Sequence, residues 1–487
     1  MSMTTTETTT SRPTGTSRPT ARDTGSVAAT APVTAAAIET RAAAVFAAEP
    51  TPEHRRAAED LVAERFGILD RTDRPEAWIA VREPADVAED VARALAARAS
   101  GQDVPLAGTL FAVKNNIDVA GLATTAGCPA FGYEPARDAV AVRRLREAGA
   151  VVLGATNLDQ FATGLVGTRS PYGAVRHAED PTRISGGSSS GSGVAVALGI
   201  VDVALGTDTA GSGRVPAALH GLYGVKPTKG LVPTTGVVPA CRSQDVVTTL
   251  ARDLRLARLA ADLMTGPDDG DARSRVPVPS RPARLDRVVG YATAEQLGEL
   301  APGWADAYAA AVRRLEDRGF RAVPVDVAPF LAAASLLYDG AFVAERYAAV
   351  GPFVDAHPDE VDPTVGGIIA AAGRIPAHRV FADQESLDGC LRLARSVFAR
   401  IDALVLPTTT FHPTLEQVAA DPVAANSRMG RFTNFVNLLD LCALAVPAGR
   451  VDGLPFGVQL VGDTFEDDRL VDVAREGGFD EGGPDGD

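Results

Sequence analysis

Two short segments rich in serine and glycine carry the hydroxyl groups that could do chemistry in this sequence. Ser185 to Gly193 reads SGGSSSGSG, and Gly206 to Arg214 reads GTDTAGSGR. A serine hydroxyl is a weak nucleophile until a neighbouring base removes its proton. His220 is the one histidine that follows closely after Ser212, and we interpret it as structural. The base therefore has to be sought among other residue types.

Lysine is the residue type that the composition singles out as a base. The chain has 47 lysines and arginines together, and only Lys114, Lys226 and Lys229 are lysine. Arginine keeps its proton in proteins, whereas a buried lysine can lose it. Burial that lowers a lysine pKa from about 10.4 toward 7 or 8, by about three units, costs ~4 kcal/mol for the charged form. Any of the three lysines could therefore activate a serine.

The first serine and glycine segment also allows interpretations that do not involve a lysine. A linker is disfavoured because apolar sequence resumes at Val194, and a phosphate-binding loop is excluded because no lysine lies within thirty residues of the glycines. Residues Gly187 to Gly191 satisfy the G-x-S-x-G pattern of a nucleophile elbow, with Ser189 at its centre. An elbow requires a buried strand before it, but the polar stretch HAEDPTRIS stands there. An α/β-hydrolase-like serine hydrolase that uses Ser189 stays an alternative.

Three segments taken together resemble one enzyme family. FAVKNN with Lys114, GGSSSGS with Ser188 and GTDTAGSGR with Ser212 follow one another, and the three residues are 74 and 24 positions apart. This combination resembles the amidase signature family, and the resemblance extends from about Leu106 to Pro239. It implies a Ser-Ser-Lys triad that hydrolyses amides through an acyl-enzyme. Ser212 is then the nucleophile, Ser188 the bridging serine and Lys114 the base.

The same resemblance implies the surroundings of the triad. The peptide bond between Gly187 and Ser188 is expected to be cis. The backbone N–H groups at Thr209, Ala210 and Gly211 are expected to form an oxyanion hole, since small residues let successive N–H groups converge. This chemistry requires no metal and no cofactor. Four charged residues near the motifs are interpreted as structural, namely Asp208, Arg214, Lys226 and Lys229.

Further stretches resemble the allophanate hydrolases within this family. They are TTAGCPAF, TNLDQFATGLVGTRSPYGAVR and GVVPACRSQDVV. In LLYDGAFVAERYAAV, Tyr338 and Arg346 match the tyrosine and arginine that hold the substrate carboxylate in those enzymes. On one continuous helix, their spacing amounts to about 800°, which lets both side chains lean toward one pocket. Arginine binds a carboxylate through two parallel hydrogen bonds, so the pair is a suitable receptor.

The resemblance therefore implies hydrolysis of allophanate (urea-1-carboxylate) with release of ammonia, in urea or s-triazine nitrogen catabolism. A broad aliphatic or malonamide-type amidase and a glutamine-dependent amidotransferase subunit remain alternatives, because the triad does not select the amide. Two features depart from the family pattern. Asn115 follows the lysine where aspartate is common, and the sequence ends in an acidic tail where some relatives carry a further domain.

Hydrophobic patterning predicts an α/β fold that positions these motifs. From Leu106, short apolar runs broken by glycine alternate with helical patterns, which is typical of buried strands. The run from Val194 onward is among the predicted strands. The resemblance implies a central mixed β-sheet covered by helices on both faces, with an N-terminal helical layer.

We expect one amidase signature domain over residues 36–475. It consists of N-terminal helices (36–100), a catalytic core (105–260) and a substrate-binding helical and C-terminal part (285–475). Residues 1–35, rich in Thr, Ser, Ala and Pro, and the acidic residues 476–487 are predicted to be disordered tails.

Charge and composition narrow the partners. The net charge of −15 disfavours nucleic acid and anionic membranes. The N-terminus lacks a secretory signal, and no apolar run is long enough to span a bilayer, so we expect a cytoplasmic protein. The four cysteines lie far apart and predict neither a disulfide framework nor a metal site. The expected partners are a small amide substrate carrying a carboxylate, a second copy in a homodimer as is common among relatives, and a urea carboxylase in a functional link.

Overall fold

One mixed β-sheet of 11 strands runs through the described part of the molecule. The structure is a computed structural model that describes residues 43–278 and 285–481. The predicted tail at residues 1–35 and the last residues, 482–487, lie outside the described residues. The strands are β1 (Trp78–Val81), β2 (Leu110–Lys114), β3 (Val151–Thr156), β4 (Val203–Asp208), β5 (Tyr223–Lys226), β6 (Val246–Ala251), β7 (Val288–Tyr291), β8 (Arg321–Pro324), β9 (Ala403–Pro407), β10 (Cys442–Val451) and β11 (Leu454–Gly462).

The strand order is β1-β3-β2-β4-β6-β5-β10-β11-β9-β7-β8. Strand β2 pairs in parallel with β3 and with β4, and β7 pairs in parallel with β8 and β9. The middle of the sheet, from β4 through β6, β5, β10 and β11 to β9, is antiparallel. The prediction of an α/β fold with a mixed sheet is therefore confirmed.

Helices cover both faces of this sheet. They are α1 (Pro52–Arg71), α2 (Pro84–Ala99), α3 (Val140–Glu147), α4 (Ser190–Ala197), α5 (Arg214–Leu219), α6 (Leu254–Met264), α7 (Ala294–Leu297), α8 (Trp304–Asp317), α9 (Ala328–Ser335), α10 (Ala344–Ala356), α11 (Pro363–Ala372), α12 (Ala377–Phe398), α13 (Leu415–Ala420), α14 (Pro422–Met429), α15 (Asn434–Leu438) and α16 (Asp467–Glu476).

Strand β2 shows how the sequence directs side chains to the two faces. Phe111 and Val113 belong to the larger hydrophobic core, whereas Leu110 and Ala112 belong to a second core that includes residues of α1, α2 and α4. Successive side chains of a strand point to opposite faces, so a fully apolar strand such as this one must be covered on both. Lys114 has the same parity as Leu110 and Ala112, which directs it toward the face covered by α4.

Two elements differ from the sequence prediction. The N-terminal layer is not purely helical, because strand β1 lies between α1 and α2 and pairs antiparallel with β3. The apolar run from Val194 to Leu205 is not one strand. Its first part continues helix α4, and only from Val203 does it become β4, since the glycine and serine residues before Val194 start a helix over the sheet.

The C-terminal segment remains packed beyond residue 475, where the predicted domain ends. Helix α16 ends at Glu476, and Phe479 is fully buried behind it. The hydroxyl of Tyr223 donates a hydrogen bond of 2.6 Å to the carbonyl of Phe479. No described helix combines the length and the apolar character needed to cross a membrane.

Candidate active site

The three parallel strands β2, β3 and β4 end at the same edge of the sheet. Lys114 is the last residue of β2, Thr156 ends β3, and Asp208 ends β4. Carboxyl ends of parallel strands meet at one edge, and the loops that leave this edge are the usual place for a site in an α/β sheet. The segments from Asn157 to Gly167 and from Thr209 to Gly213 leave the sheet here.

Lys114 and Ser188 are in direct contact. The Nζ atom of Lys114 lies 2.8 Å from Oγ of Ser188 and 2.7 Å from Oγ1 of Thr207. All three residues are buried. The amide of Asn116 also donates to Oγ1 of Thr207, at 3.3 Å. The lysine therefore ends among hydroxyl groups and makes no ion pair among the described residues.

Burial lowers the pKa of Lys114 from 10.5 to about 7. Three buried carboxylates oppose this effect and raise the pKa, namely Asp159, Asp245 and Asp208, while the guanidinium of Arg346 lowers it further. A neutral amine has a lone pair that can accept a proton, so a lysine with this pKa is able to act as a base near neutral pH.

The serine and glycine segment forms the wall that faces Lys114. The peptide bond between Gly187 and Ser188 is cis, as the resemblance implies. Ser189 lies next to it, but its hydroxyl donates to the carbonyl of Thr207 at 3.2 Å and accepts from the N–H of the same residue at 3.3 Å. Its oxygen is therefore held by the main chain of β4 and has no described base beside it.

Ser212 lies at the other end of the site, in the turn after β4. Its Oγ atom is 3.4 Å from the carbonyl oxygen of Gly164, and its own carbonyl accepts from the N–H of Ser189 at 3.2 Å. Among the described residues, no hydrogen bond joins the hydroxyl groups of Ser212 and Ser188. The structure thus brings Lys114 and Ser188 together and leaves the hydroxyl of Ser212 against Gly164.

A buried ion pair holds the turn that carries Ser212. Two nitrogens of Arg214 each lie 2.9 Å from an oxygen of Asp208, and both side chains are fully buried. Burial raises the pKa of Asp208, but Arg214 outweighs it and the pKa is lowered overall. The carboxylate also accepts from the N–H groups of Gly211 and Gly213. The structural roles predicted for Asp208 and Arg214 agree with these contacts.

The three N–H groups of the predicted oxyanion hole differ in whether they already have an acceptor. The N–H of Gly211 is engaged with Asp208 at 2.8 Å, whereas the N–H groups of Thr209 and Ala210 have no acceptor among the described residues. Gly211 has a φ of +123°, and a Cβ atom there would collide with the side chain of Thr433. Thr209 and Ala210 are thus the free donors of the predicted set, and Gly211 provides the bend.

Tyr338 and Arg346 meet, although not on one helix as the sequence suggested. Helix α9 ends at Ser335 and α10 begins at Ala344, so Tyr338 lies in the connection between them. The chain turns at residues 336–339, and the extended Gly340 leads into a short 3₁₀ turn at Ala341–Val343 before α10. Nη2 of Arg346 lies 3.1 Å from the phenol oxygen of Tyr338. The prediction of their proximity is correct, and the single helix behind it is wrong.

Arg346 is fully enclosed beside the segment that Ser212 contacts. Its Nη1 atom donates to Oγ1 of Thr163 at 2.8 Å and to the carbonyl of Ala162 at 3.4 Å, and its Nε has no described partner. The residue after Thr163 is Gly164, whose carbonyl faces Ser212. The guanidinium of Arg346 and the hydroxyl of Ser212 therefore both contact the segment from Ala162 to Gly164.

Several residues that shape this site were not predicted from the sequence. Thr207 and Asp159 lie within motifs that were recognised, GTDTAGSGR and TNLDQFATG, yet no role was assigned to them. Asn115 uses its amide oxygen to accept from the N–H and hydroxyl of Thr125, which braces the loop after β2 rather than the lysine. The signal that the sequence offered for Thr207, Asp159 and Asn115 was a polar residue type in apolar surroundings.

Of the other two lysines, Lys226 is buried and Lys229 is half-buried. Lys226 donates to the carbonyl of Pro227 and Lys229 donates to Oε1 of Gln244, and burial lowers the pKa of each to about 8. Neither contacts a serine of the site, in agreement with the structural roles predicted for them. Within the described ranges, no group of three or more His, Cys, Asp or Glu side chains is arranged to hold a metal ion.

Comparison with known proteins gives a consistent result. Residues 68–471 match the protein family described as Amidase. The chain is 46% identical over 440 residues to a urea amidolyase of Lachancea kluyveri, a match that covers 88% of this chain and 24% of that protein. It is also 35% identical to a glutamyl-tRNA(Gln) amidotransferase subunit of Symbiobacterium thermophilum, covering 80% of this chain and 87% of that one.

Among solved structures, the allophanate hydrolase of Kluyveromyces lactis is similar to this chain with a TM-score of 0.80 and 43% identity. The match covers 87% of this chain and 70% of that one. The chain thus spans most of the solved hydrolase but only about a quarter of the urea amidolyase.

Proposed function

Since this chain belongs to the Amidase family, we propose that it hydrolyses allophanate to release ammonia, with Lys114, Ser188 and Ser212 as the catalytic residues. The observation that carries the proposal is the buried Lys114, whose Nζ lies 2.8 Å from Oγ of Ser188 at the edge of the sheet. A lysine without an ion pair and with a pKa near 7 is able to accept the proton of a serine.

The proposed reaction begins when the hydroxyl of Ser212 turns from the carbonyl of Gly164 toward Ser188 and its Oγ attacks the amide carbonyl carbon. The hydroxyl proton passes through Ser188 to Lys114, and the carbonyl oxygen becomes negative beside the free N–H groups of Thr209 and Ala210. The bond from carbon to nitrogen then breaks, and the proton returns from Lys114 through Ser188 to the leaving amine, which departs as ammonia. An acyl group stays on Ser212.

A water molecule completes the cycle. Lys114 takes a proton from it through Ser188, the resulting hydroxide attacks the acyl carbon, and the proton is returned to Ser212 when its bond to carbon breaks. With allophanate the product is N-carboxycarbamate, so water and one amide yield one ammonia and one dicarboxylated amine. No metal and no cofactor takes part in these steps.

Selection of allophanate is assigned to Arg346 and Tyr338. Allophanate carries a carboxylate two bonds beyond the reacting carbonyl carbon, and the guanidinium lies beside the segment from Ala162 to Gly164 that Ser212 contacts. A buried arginine with an unpartnered Nε attracts a small carboxylate more strongly than an exposed one. The name of the Kluyveromyces lactis neighbour is consistent with this choice.

The test is ammonia release by the purified protein from allophanate, malonamate, propionamide and glutamine in parallel at neutral pH. A strong preference for allophanate supports the proposal. Preference for propionamide would keep the mechanism and assign a broad aliphatic amidase. Preference for glutamine would favour an amidotransferase role, which the likeness to a glutamyl-tRNA(Gln) amidotransferase subunit makes the main rival.

Three further expectations belong to the same proposal. We infer a cytoplasmic location, a homodimer, and a functional link to a urea carboxylase, which would supply allophanate. The part of the urea amidolyase that is similar to this chain makes up about a quarter of that protein. Size-exclusion chromatography with light scattering measures the oligomeric state directly.

A further inference from the structure

Asp159 is a buried carboxylate that no step of the proposed reaction uses. It lies in the segment after β3, three residues past the strand end, and is fully shielded from solvent. Three backbone N–H groups donate to its side chain, from Val166 at 3.3 Å, Gly167 at 3.0 Å and Arg169 at 3.0 Å. A carboxylate that gathers successive N–H groups in this way fixes the path of a loop.

The same residue is also tied to the serine and glycine segment. The N–H of Asp159 donates to the carbonyl of Ser188 at 3.2 Å, and the N–H of Gly187 donates to the carbonyl of Leu165 at 2.9 Å. These two hydrogen bonds run in opposite directions between the two segments. Asp159 thus connects the peptide that presents Ser188 with the loop that begins at Gly164.

Two glycines leave the space that this carboxylate occupies. A Cβ atom added at Gly187 or at Gly164 would collide with Oδ2 of Asp159. The carboxylate therefore packs directly between the backbone beside Ser188 and the backbone whose carbonyl faces Ser212. A side chain of another length cannot keep all of these contacts, because the neighbouring atoms are main chain.

We propose that Asp159 is a positioning residue that holds Ser188 and the Gly164 segment in register with Ser212. In the same place its negative charge favours the protonated form of Lys114 and so opposes the effect of burial on that lysine. The proposal rests on the proposed Ser-Ser-Lys function. The charged groups that act on Lys114 are Asp159, Asp245, Asp208 and Arg346. Asp208 is paired with Arg214. Asp245 accepts from the hydroxyl of Thr209 and from the N–H groups of Ala240 and Cys241. Asp159 is held by main-chain N–H groups, and of the three it is the one whose N–H binds the carbonyl of Ser188.

The first test is Asp159→Asn, which removes the charge and nearly keeps the shape. The pKa of Lys114 should fall by about one unit, because a nearby opposite charge no longer favours the protonated form. The midpoint of the acid limb in the plot of kcat/KM against pH should shift by the same amount, to lower pH. The plateau value of kcat should fall about tenfold or more, since misplacement of reacting groups slows the reaction.

The scarcity of lysine allows a readout that needs no substrate. With only three lysines in the chain, labelling with 13C-lysine should give three side-chain Cε signals, and the signal lost in Lys114→Met is that of Lys114. Its titration midpoint reports the pKa directly, so a failure of the proposed substrate leaves this result intact. A midpoint of Lys114 in the unmodified protein far from neutrality would count against the proposed function itself.

Asp271→Asn is the matched control. Asp271 is also a buried aspartate that accepts main-chain N–H groups, from Thr234 and Arg273, but it lies outside the site. The control should leave the Lys114 midpoint and the position of the acid limb unchanged. An unchanged midpoint in Asp159→Asn, or a loss of kcat without any shift of the midpoint, would overturn the assigned role.

Asp159→Glu provides a second test if the asparagine variant does not fold. The charge remains, but the longer side chain no longer fits between Gly164 and Gly187. The lysine midpoint should then stay within about 0.3 units while kcat falls about tenfold or more, because the charge is kept and the register is lost. Unchanged kcat in this variant would contradict the positioning role.

Discussion

Lys114 combines two properties that a surface lysine lacks. It is removed from solvent at the end of a central strand, and its amine contacts hydroxyl groups instead of a carboxylate. Burial penalises the charged form, and without an ion pair the penalty is only partly offset by more distant aspartates. The residue type matters because arginine in the same place would remain charged.

Replacement of this lysine by arginine tests the base directly. Lys114→Arg should lower kcat by about 10³-fold or more, because removal of a member of a catalytic triad leaves only the remaining groups to act. Lys229→Arg is the control and should keep most of the activity, since the amine of Lys229 donates to Gln244 and contacts no serine of the site among the described residues. Ammonia release measures both, and a thermal melt verifies folding. Near-normal activity in Lys114→Arg would exclude the lysine as base.

The pKa of about 7 predicts how activity depends on pH. Below pH 7 most molecules carry a protonated Lys114, so kcat/KM should rise about tenfold per pH unit until it levels off above pH 7. The free energy of unfolding should also increase with pH. Between pH 7 and 10.5 the unfolded chain binds more protons at this lysine than the folded one, so its contribution to the free energy of unfolding increases with pH.

A pH–rate profile of kcat/KM from pH 5 to pH 9 is the measurement. A kcat/KM that still rises about tenfold per pH unit at pH 9 would show that a solvated lysine, or another group, controls the reaction.

At the scale of elements, the candidate substrate pocket depends on a break in secondary structure. Tyr338 lies between α9 and α10, and Arg346 lies in the first turn of α10. A turn of left-handed residues, Phe161 and Ala162, brings the carbonyl of Ala162 and the hydroxyl of Thr163 to the guanidinium. Three separate parts of the chain thus form one receptor, which helical periodicity alone could not predict.

Removal of the guanidinium should affect charged and neutral substrates differently. Arg346→Met should reduce kcat/KM for allophanate by a factor that corresponds to ~2–4 kcal/mol of lost transition-state stabilisation, the range for a lost buried charge contact. The change in kcat/KM for propionamide should be much smaller. Arg392→Met, a variant of an exposed arginine on α12, is the control. Steady-state kinetics with both substrates give the answer. Equal losses for the two substrates would indicate a folding role instead of carboxylate recognition.

At the scale of the whole molecule, three histidines from distant parts of the chain meet in one cluster. The rings of His177 and His220 stack with centroids 4.2 Å apart, and that of His412 lies 4.9 Å from His177. Burial lowers the pKa of all three, that of His412 to about 3. Charged residues near the cluster are Glu179, Asp180, Arg74 and Arg183.

This cluster predicts sensitivity to acid. The unfolded chain takes up protons at these histidines near pH 6.5 while the folded chain does not, so the free energy of unfolding should fall as pH drops below 6.5. Each histidine contributes up to about 1.4 kcal/mol per pH unit. Denaturant unfolding at pH 6.5 and 5.5 measures the slope.

His412→Gln should reduce the slope of the free energy of unfolding against pH by the share of one proton, up to about 1.4 kcal/mol per pH unit. The glutamine amide keeps a donor for the carbonyl of Ile184 but does not titrate. His378→Gln, a change of an exposed histidine, should leave the slope unaltered. A slope that does not respond to either change would place acid sensitivity elsewhere.

The sequence by itself determined the family, the α/β class and the identity of the candidate residues. Short buried strands and small-residue turns have local signatures, and a lysine in a chain that otherwise uses arginine is visible without coordinates. The proximity of Tyr338 and Arg346 was also predicted, from a resemblance.

Only the tertiary structure decided how these residues meet. The helical start of α4, the strand β1 in the N-terminal layer and the break between α9 and α10 depend on contacts between segments far apart in sequence, which outweigh local preference. The positions of Asp159 and Thr207 depend on the same contacts, since a polar group is buried only where distant atoms satisfy its hydrogen bonds. The basicity of Lys114 is set in this way too, because burial is a property of the folded chain and not of the residue.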